Sequence, residues 1–63
     1  MLLKRFNDIN DEAVFINPAH VVCVMKNTVE EERDICKVFL STGENDYINV
    51  KGNIIEVVNH LNP

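Results

Sequence analysis

Two cysteines in 63 residues are too few to build a disulfide framework. A basic footprint for nucleic acid is missing as well. Six lysines and arginines stand against ten aspartates and glutamates, a formal net charge of −4. That excess is too small for a DNA mimic, and it fits a soluble protein whose copies repel one another. No apolar run approaches the length of a membrane span. Met1-Leu2-Leu3-Lys4-Arg5 lacks the apolar core of an export signal. Together with reduced cysteines, these absences point to the cytoplasm and away from membranes.

Recognisable sites are scarce too. His20, His60, Cys23 and Cys36 are the only soft metal ligands, and none falls in a Cys-x-x-Cys or His-x-x-x-His pair. No metal or other cofactor is expected. His20 and Cys23 would face opposite sides of a strand, so they do not form a nucleophile and its base. The acidic chain also gives a thiolate no electropositive setting. Ser41-Thr42-Gly43-Glu44 has one glycine and no following Gly-Lys-Ser/Thr, so it is not a phosphate loop. The reading is therefore not an enzyme.

A chain this short forms one domain, residues 1–63, and buries only about 60% of the surface its unfolded form exposes. Domains of this size lean on disulfides, metals or oligomerisation. With the first two set aside, a homo-oligomer is expected.

What is present is β-rich. Val21-Val22-Cys23-Val24-Met25 and Ile35-Cys36-Lys37-Val38-Phe39-Leu40 carry β-branched and aromatic residues that suit a pleated surface. They read as a central hairpin joined by an acidic connector. Leu2 to Phe6 and Ala13-Val14-Phe15-Ile16 supply earlier strands, separated by a polar turn rich in Asn and Asp. Pro18 ends the second strand and starts a turn. Tyr47-Ile48-Asn49-Val50 is a short fifth strand, with Ile48 and Val50 on one side.

The last segment switches period. Ile54, Val57, Val58 and Leu61 fall on one face of a helix. Asn53 can cap it, with Glu56 at the third helical position. About two turns of helix are not stable alone in water, so the stripe must pack on a sheet. Ile48, Val50, Val22, Val24, Val38 and Leu40 are its natural partners. The fold class is α+β: a small antiparallel β-meander of four to five strands with one short C-terminal helix packed on one face.

Two registers compete for the central hairpin. One pairs Val22 with Val38 and Val24 with Cys36; the other opposes the two cysteines but sets Val22 against Lys37. Keeping the buried set on one face favours the first. It separates Cys23 and Cys36 onto opposite faces, out of disulfide geometry. It also leaves Val21, Cys23, Met25, Ile35 and Phe39, joined by Phe15, on the side away from the helix. An apolar patch of several hundred square ångströms is uncommon on a soluble monomer. A second copy packed against it in a two-fold dimer is one resolution. A strongly curled sheet that encloses both sets is the other.

Polar contacts to a partner are expected elsewhere. Glu30, Glu31 and Glu32 form a solvated hairpin tip that discourages edge aggregation and can also dock a basic partner. Lys37, Ser41 and Thr42 are candidates for contact with a protein or a small anionic ligand.

The order of Leu3 to Phe6, Val14-Phe15-Ile16-Asn17-Pro18-Ala19-His20-Val21-Val22, Val38-Phe39-Leu40-Ser41-Thr42-Gly43, Ile48-Asn49-Val50 and Ile55-Glu56-Val57-Val58 resembles the small FlbD/SwrD-type flagellar proteins. The likeness covers most of the chain in layout and few positions in identity. Phe6-Asn7-Asp8-Ile9-Asn10 stands where that family carries a Leu-Asn-Gly turn, and the acidic connector is longer. The resemblance implies a non-enzymatic role linked to motility. From the residues themselves, the expected function is a small regulatory protein acting through protein–protein contacts. The competing expectation is a phage-type inhibitor that sequesters a nucleotide-like anion between subunits.

Overall fold

The structure, a computed structural model, describes residues 3–29, 33–41 and 46–62. Five strands and one helix follow in order: β1 (Lys4–Asn7), β2 (Ala13–Ile16), β3 (Val21–Lys26), β4 (Ile35–Leu40), β5 (Tyr47–Lys51) and α1 (Ile54–Leu61). The class is α+β, and every pairing is antiparallel. The strands divide into a two-stranded sheet, β1-β2, and a three-stranded sheet, β3-β4-β5.

Local chemistry explains the joints. Asp8 organises the β1–β2 turn: its Oδ1 accepts from the backbone N–H of Asn10 and Glu12 at 2.8 and 2.9 Å. Asp11 completes the turn at φ 62°, a left-handed conformation that Asp tolerates better than most residues. Between β2 and β3 the chain makes a 3-10 turn, Pro18–His20, capped by the Asn17 side chain accepting from Ala19 N–H at 3.0 Å. That turn breaks the expected meander into two sheets, since Pro18 brings no backbone donor to continue a ladder.

The central hairpin corrects the favoured register. Val24 pairs with Val38 and Lys26 with Cys36, two residues away from the Val22–Val38 and Val24–Cys36 pairs. A shift of two keeps each side chain on its face, because the strand period is two. The ladder then breaks between Val21 and Cys23, where Val22 is left without a partner. Such a bulge reverses the faces of the residues before it. Val21 turns inward onto the core, whereas Val22, expected beneath the helix, is 66% exposed.

One core joins both sheets and the helix. Phe6 and Ile16 come from β1 and β2, Cys36 and Val38 from β4, Val50 from β5 and Val57 from α1. Val14, Val21, Val24, Leu40, Ile48 and Leu61 pack around them. The helix begins where the capping pattern places it: Asn53 Oδ1 accepts from Glu56 N–H at 2.8 Å. Val57, buried to 2%, anchors it. Full burial of such a side chain contributes about 1.5–3 kcal/mol, which offsets the poor stability of an isolated two-turn helix.

Candidate functional site

The three-stranded sheet has one face on the core and one face turned away. Alternation along β4 and β5 puts Lys37, Phe39, Tyr47 and Asn49 on the outer face, with Cys23 and Met25 of β3 beside them. Met25 is 53% exposed. Phe39 packs on Tyr47 with ring centroids 5.3 Å apart. The Lys37 ammonium sits 5.1 Å from the centre of the Tyr47 ring, within the range of a cation–π contact. Lys37 is thus tied to its own sheet.

The six residues expected at an interface separate. Cys23 and Met25 are open, and Phe39 is half-buried on the same face. Phe15, 60% exposed, lies on the outer side of β2 in the other sheet. Val21 is turned onto the core by the bulge. Ile35 is buried within the chain, so the outer face does not offer it to a partner. The connector after β3 is tied down at this end of the sheet. Asn27 N–H donates to Ile35 C=O at 2.9 Å, and Asn27 Nδ2 donates to Asn49 Oδ1 at 3.0 Å. That amide bridge crosses β4 on the outer side of the sheet. Asn27 Oδ1 also accepts from Val29 N–H at 3.1 Å. The bridge was not legible in sequence, because a lone Asn after a strand reads as a turn residue.

Of the polar candidates, Ser41 is exposed and donates its backbone N–H to His20 C=O at 2.8 Å. Glu30, Glu31, Glu32 and Thr42 lie outside the described residues. Among the described residues, no three His, Cys, Asp or Glu side chains gather to hold a metal ion, and no helix is long and apolar enough to cross a membrane.

The two thiols differ in setting. Cys23 is exposed, while Cys36 is buried with Sγ 3.3 Å from Gly52 C=O. Burial pushes the Cys36 thiol up, and the charge of Asp34 adds to the shift. Thiolates are the reactive form. An Ellman-type titration of the native protein should therefore show one fast thiol, with the second reacting only on unfolding. Two fast thiols would contradict the burial of Cys36.

A shallow cleft of about 280 Å³ opens between β1, β5 and α1, lined by Arg5, Phe6, Lys51, Glu56, Val57 and His60. His60 Nε2 lies 2.8 Å from Arg5 C=O, so that nitrogen carries the proton, and its ring meets Phe6 edge-on at 4.8 Å. Lys51 is paired with Asp11. Arg5 and Glu56 both line the cleft, so its charges are mixed, and it favours neither a strong anion nor a cation.

The Lys51 hydrogen bond and charge hold the Asp11 carboxyl below the usual carboxylate range. A depressed folded pKa gives stability that is present above the unfolded pKa and lost as pH falls through the folded one. The advantage of the wild type over Asp11→Asn should be visible at neutral pH in thermal melts and vanish in acid, once the Asp11 carboxyl is protonated in the folded state. Added salt should shrink it, because the pair is at the surface. A difference that persists in acid would assign the effect to the turn rather than to the ion pair.

The helix supplies what sequence reasoning under-read. Its apolar arc runs from Val57 and Leu61 through Ile54 and Val58 to Ile55. Only the first pair is taken up by the core; Ile54 and Val58 are partly open, and Ile55 is 69% exposed. The extra width was visible in the adjacent isoleucines. No protein-family model matches the chain, and neither does any curated protein or solved structure at a significant level.

Proposed function

We propose that this chain is a small, non-enzymatic, cytoplasmic binding protein that works as a homo-oligomer and acts through protein–protein contacts. The observation that carries the reading is the apolar surface left open on the helix: Ile54, Ile55 and Val58 line one flank and are 41%, 69% and 41% exposed. Contiguous apolar surface on a soluble protein marks an interaction site. The use made of polar groups agrees with this. Asp8, Asn17, Asn27 and Asn53 each bond the backbone of a turn or a cap, so their chemistry is spent on the fold. A role that needs no catalysis is also what the resemblance in layout to the small flagellar proteins implies.

The test is the solution mass by light scattering across a wide dilution series, with melting temperature followed in the presence of a nucleotide panel. A dimer or higher oligomer without a ligand shift supports the proposal. A monomer at every concentration overturns it. A large upward shift with one nucleotide would replace it with the ligand-sequestering reading, since a ligand that binds only the folded state stabilises by mass action.

A further inference from the structure

The open apolar residues of the helix and the unpaired strand of the sheet lie side by side. β3 ends the order β3-β4-β5, and among the described residues no backbone group bonds its outer side. Asn27 N–H bonds Ile35 C=O, and the antiparallel ladder alternates from there. Met25 and Cys23 therefore bond β4, while the N–H and C=O of Val24 and Lys26 point to the free edge. The opposite side of the sheet is different, because β1 lies against β5. The helix crosses between these limits. His60 on one flank reaches Arg5 and Phe6 of β1. The other flank, Ile54 and Val58, continued by Ile55, faces the β3 side, where Ile54 shares a small pocket with Lys26.

We propose that a second copy of this chain docks antiparallel along the free edge of β3, with Val24 opposite its own copy, and that the two helices pack through Ile54, Ile55 and Val58 on the same side. The inference rests on the self-associating reading above and assigns its surface. Pairing about a two-fold axis places each backbone donor at Val24 against an acceptor at the same position, as an isologous contact requires. It yields one six-stranded sheet and leaves no open edge at β3. Lys26 then faces Val22 of the second copy, and the two Lys26 residues stand about 13 Å apart, four residues at strand rise. No like charges oppose each other. A basic or acidic partner has nothing comparable to bind here, since Lys26 is the one charged residue of β3. The apolar helix flank is met by its equal across the axis.

In this register Cys23 lies opposite residue 25 of the second copy, at a pair that does not exchange hydrogen bonds, with Cα atoms about 4.5 Å apart. That spacing suits a disulfide. Three proteins test the proposal by light scattering and non-reducing gels. Ile55→Lys/Val58→Lys should be monomeric with an unchanged circular dichroism spectrum. Phe39→Glu, on the outer face of the central strand, should remain dimeric. Met25→Cys should give a covalent dimer under mild oxidation, while the wild type does not. A dimeric Ile55→Lys/Val58→Lys together with a monomeric Phe39→Glu would overturn the edge and leave self-association through the outer face standing. A Met25→Cys protein that is dimeric yet never cross-links would overturn the register and with it the proposal. A wild type that is monomeric throughout would overturn both this inference and the function it rests on.

Discussion

Phe6→Ala is expected to remove most of the stability of this fold. Truncating a buried Phe costs about 3–5 kcal/mol through lost transfer energy and the cavity left behind. A domain of this length holds about 3–9 kcal/mol in total. Phe6 is the largest side chain in a core of valines, isoleucine and one cysteine, and it is 6% exposed. It belongs to β1, yet it packs in the cluster that contains Val38, Val50 and Val57. Its removal therefore loosens the join between the two sheets and deprives His60 of the ring it meets edge-on. Urea unfolding followed by circular dichroism should show a midpoint near zero denaturant or no cooperative transition. Phe6→Leu, which keeps much of the volume, should fall between the two. A midpoint shift within the scatter of a surface mutation would mean that the two sheets do not share a core.

Gly52→Val carries the second large effect. Gly52 adopts φ 130° between β5 and α1, a region that side chains rarely enter. Holding a residue there costs about 1–3 kcal/mol. A Cβ by itself would find room, 3.4 Å from Val57 Cγ2 and 3.9 Å from the Glu56 Cβ, so the backbone conformation is the first obstacle. The backbone could escape by rotating, but Gly52 N–H donates to Asp34 C=O at 2.8 Å and Gly52 C=O receives the Cys36 thiol. Either path weakens the seat of the helix. The melting temperature should drop by about 4–8 °C for each kcal/mol lost in a domain this small. Gly52→Asn should lose less, since Asn tolerates positive φ better than a β-branched residue. Equal losses in the two variants would trace the effect to crowding against Val57 rather than to the backbone.

Much of the architecture was legible because periodic patterns carry it. The spacing of Val57 and Leu61 identifies a helix and its inner face, and Asn53 marks the start within one residue. The β-branched runs identify β3 and β4. The register was harder, because Val22, Val24, Cys36 and Val38 satisfy the same alternation when slid by two. A bulge leaves no mark in composition, so nothing distinguished Val21 from Val22 before the ladder was known. Ile35 looked like a surface residue for a related reason. It sits on the outer-face alternation of β4 yet is 1% exposed, a burial that no local pattern announces. The expected interface was read from strand alternation alone, which says nothing about the open apolar flank of the helix.

The contact of His60 with Arg5 spans 55 positions, and the core needs both Phe6 and Val57. Loop closure over such separations must be met before the contacts reward it, which slows folding in chains dominated by distant pairings. During synthesis the β1–β2 hairpin emerges first and holds Phe6 without its partners until the helix has been made. Phe6 therefore has no complete core to enter until the residues of α1 are available. The join between the first strand and the helix is thus a single long-range closure on which the shared core of the two sheets depends.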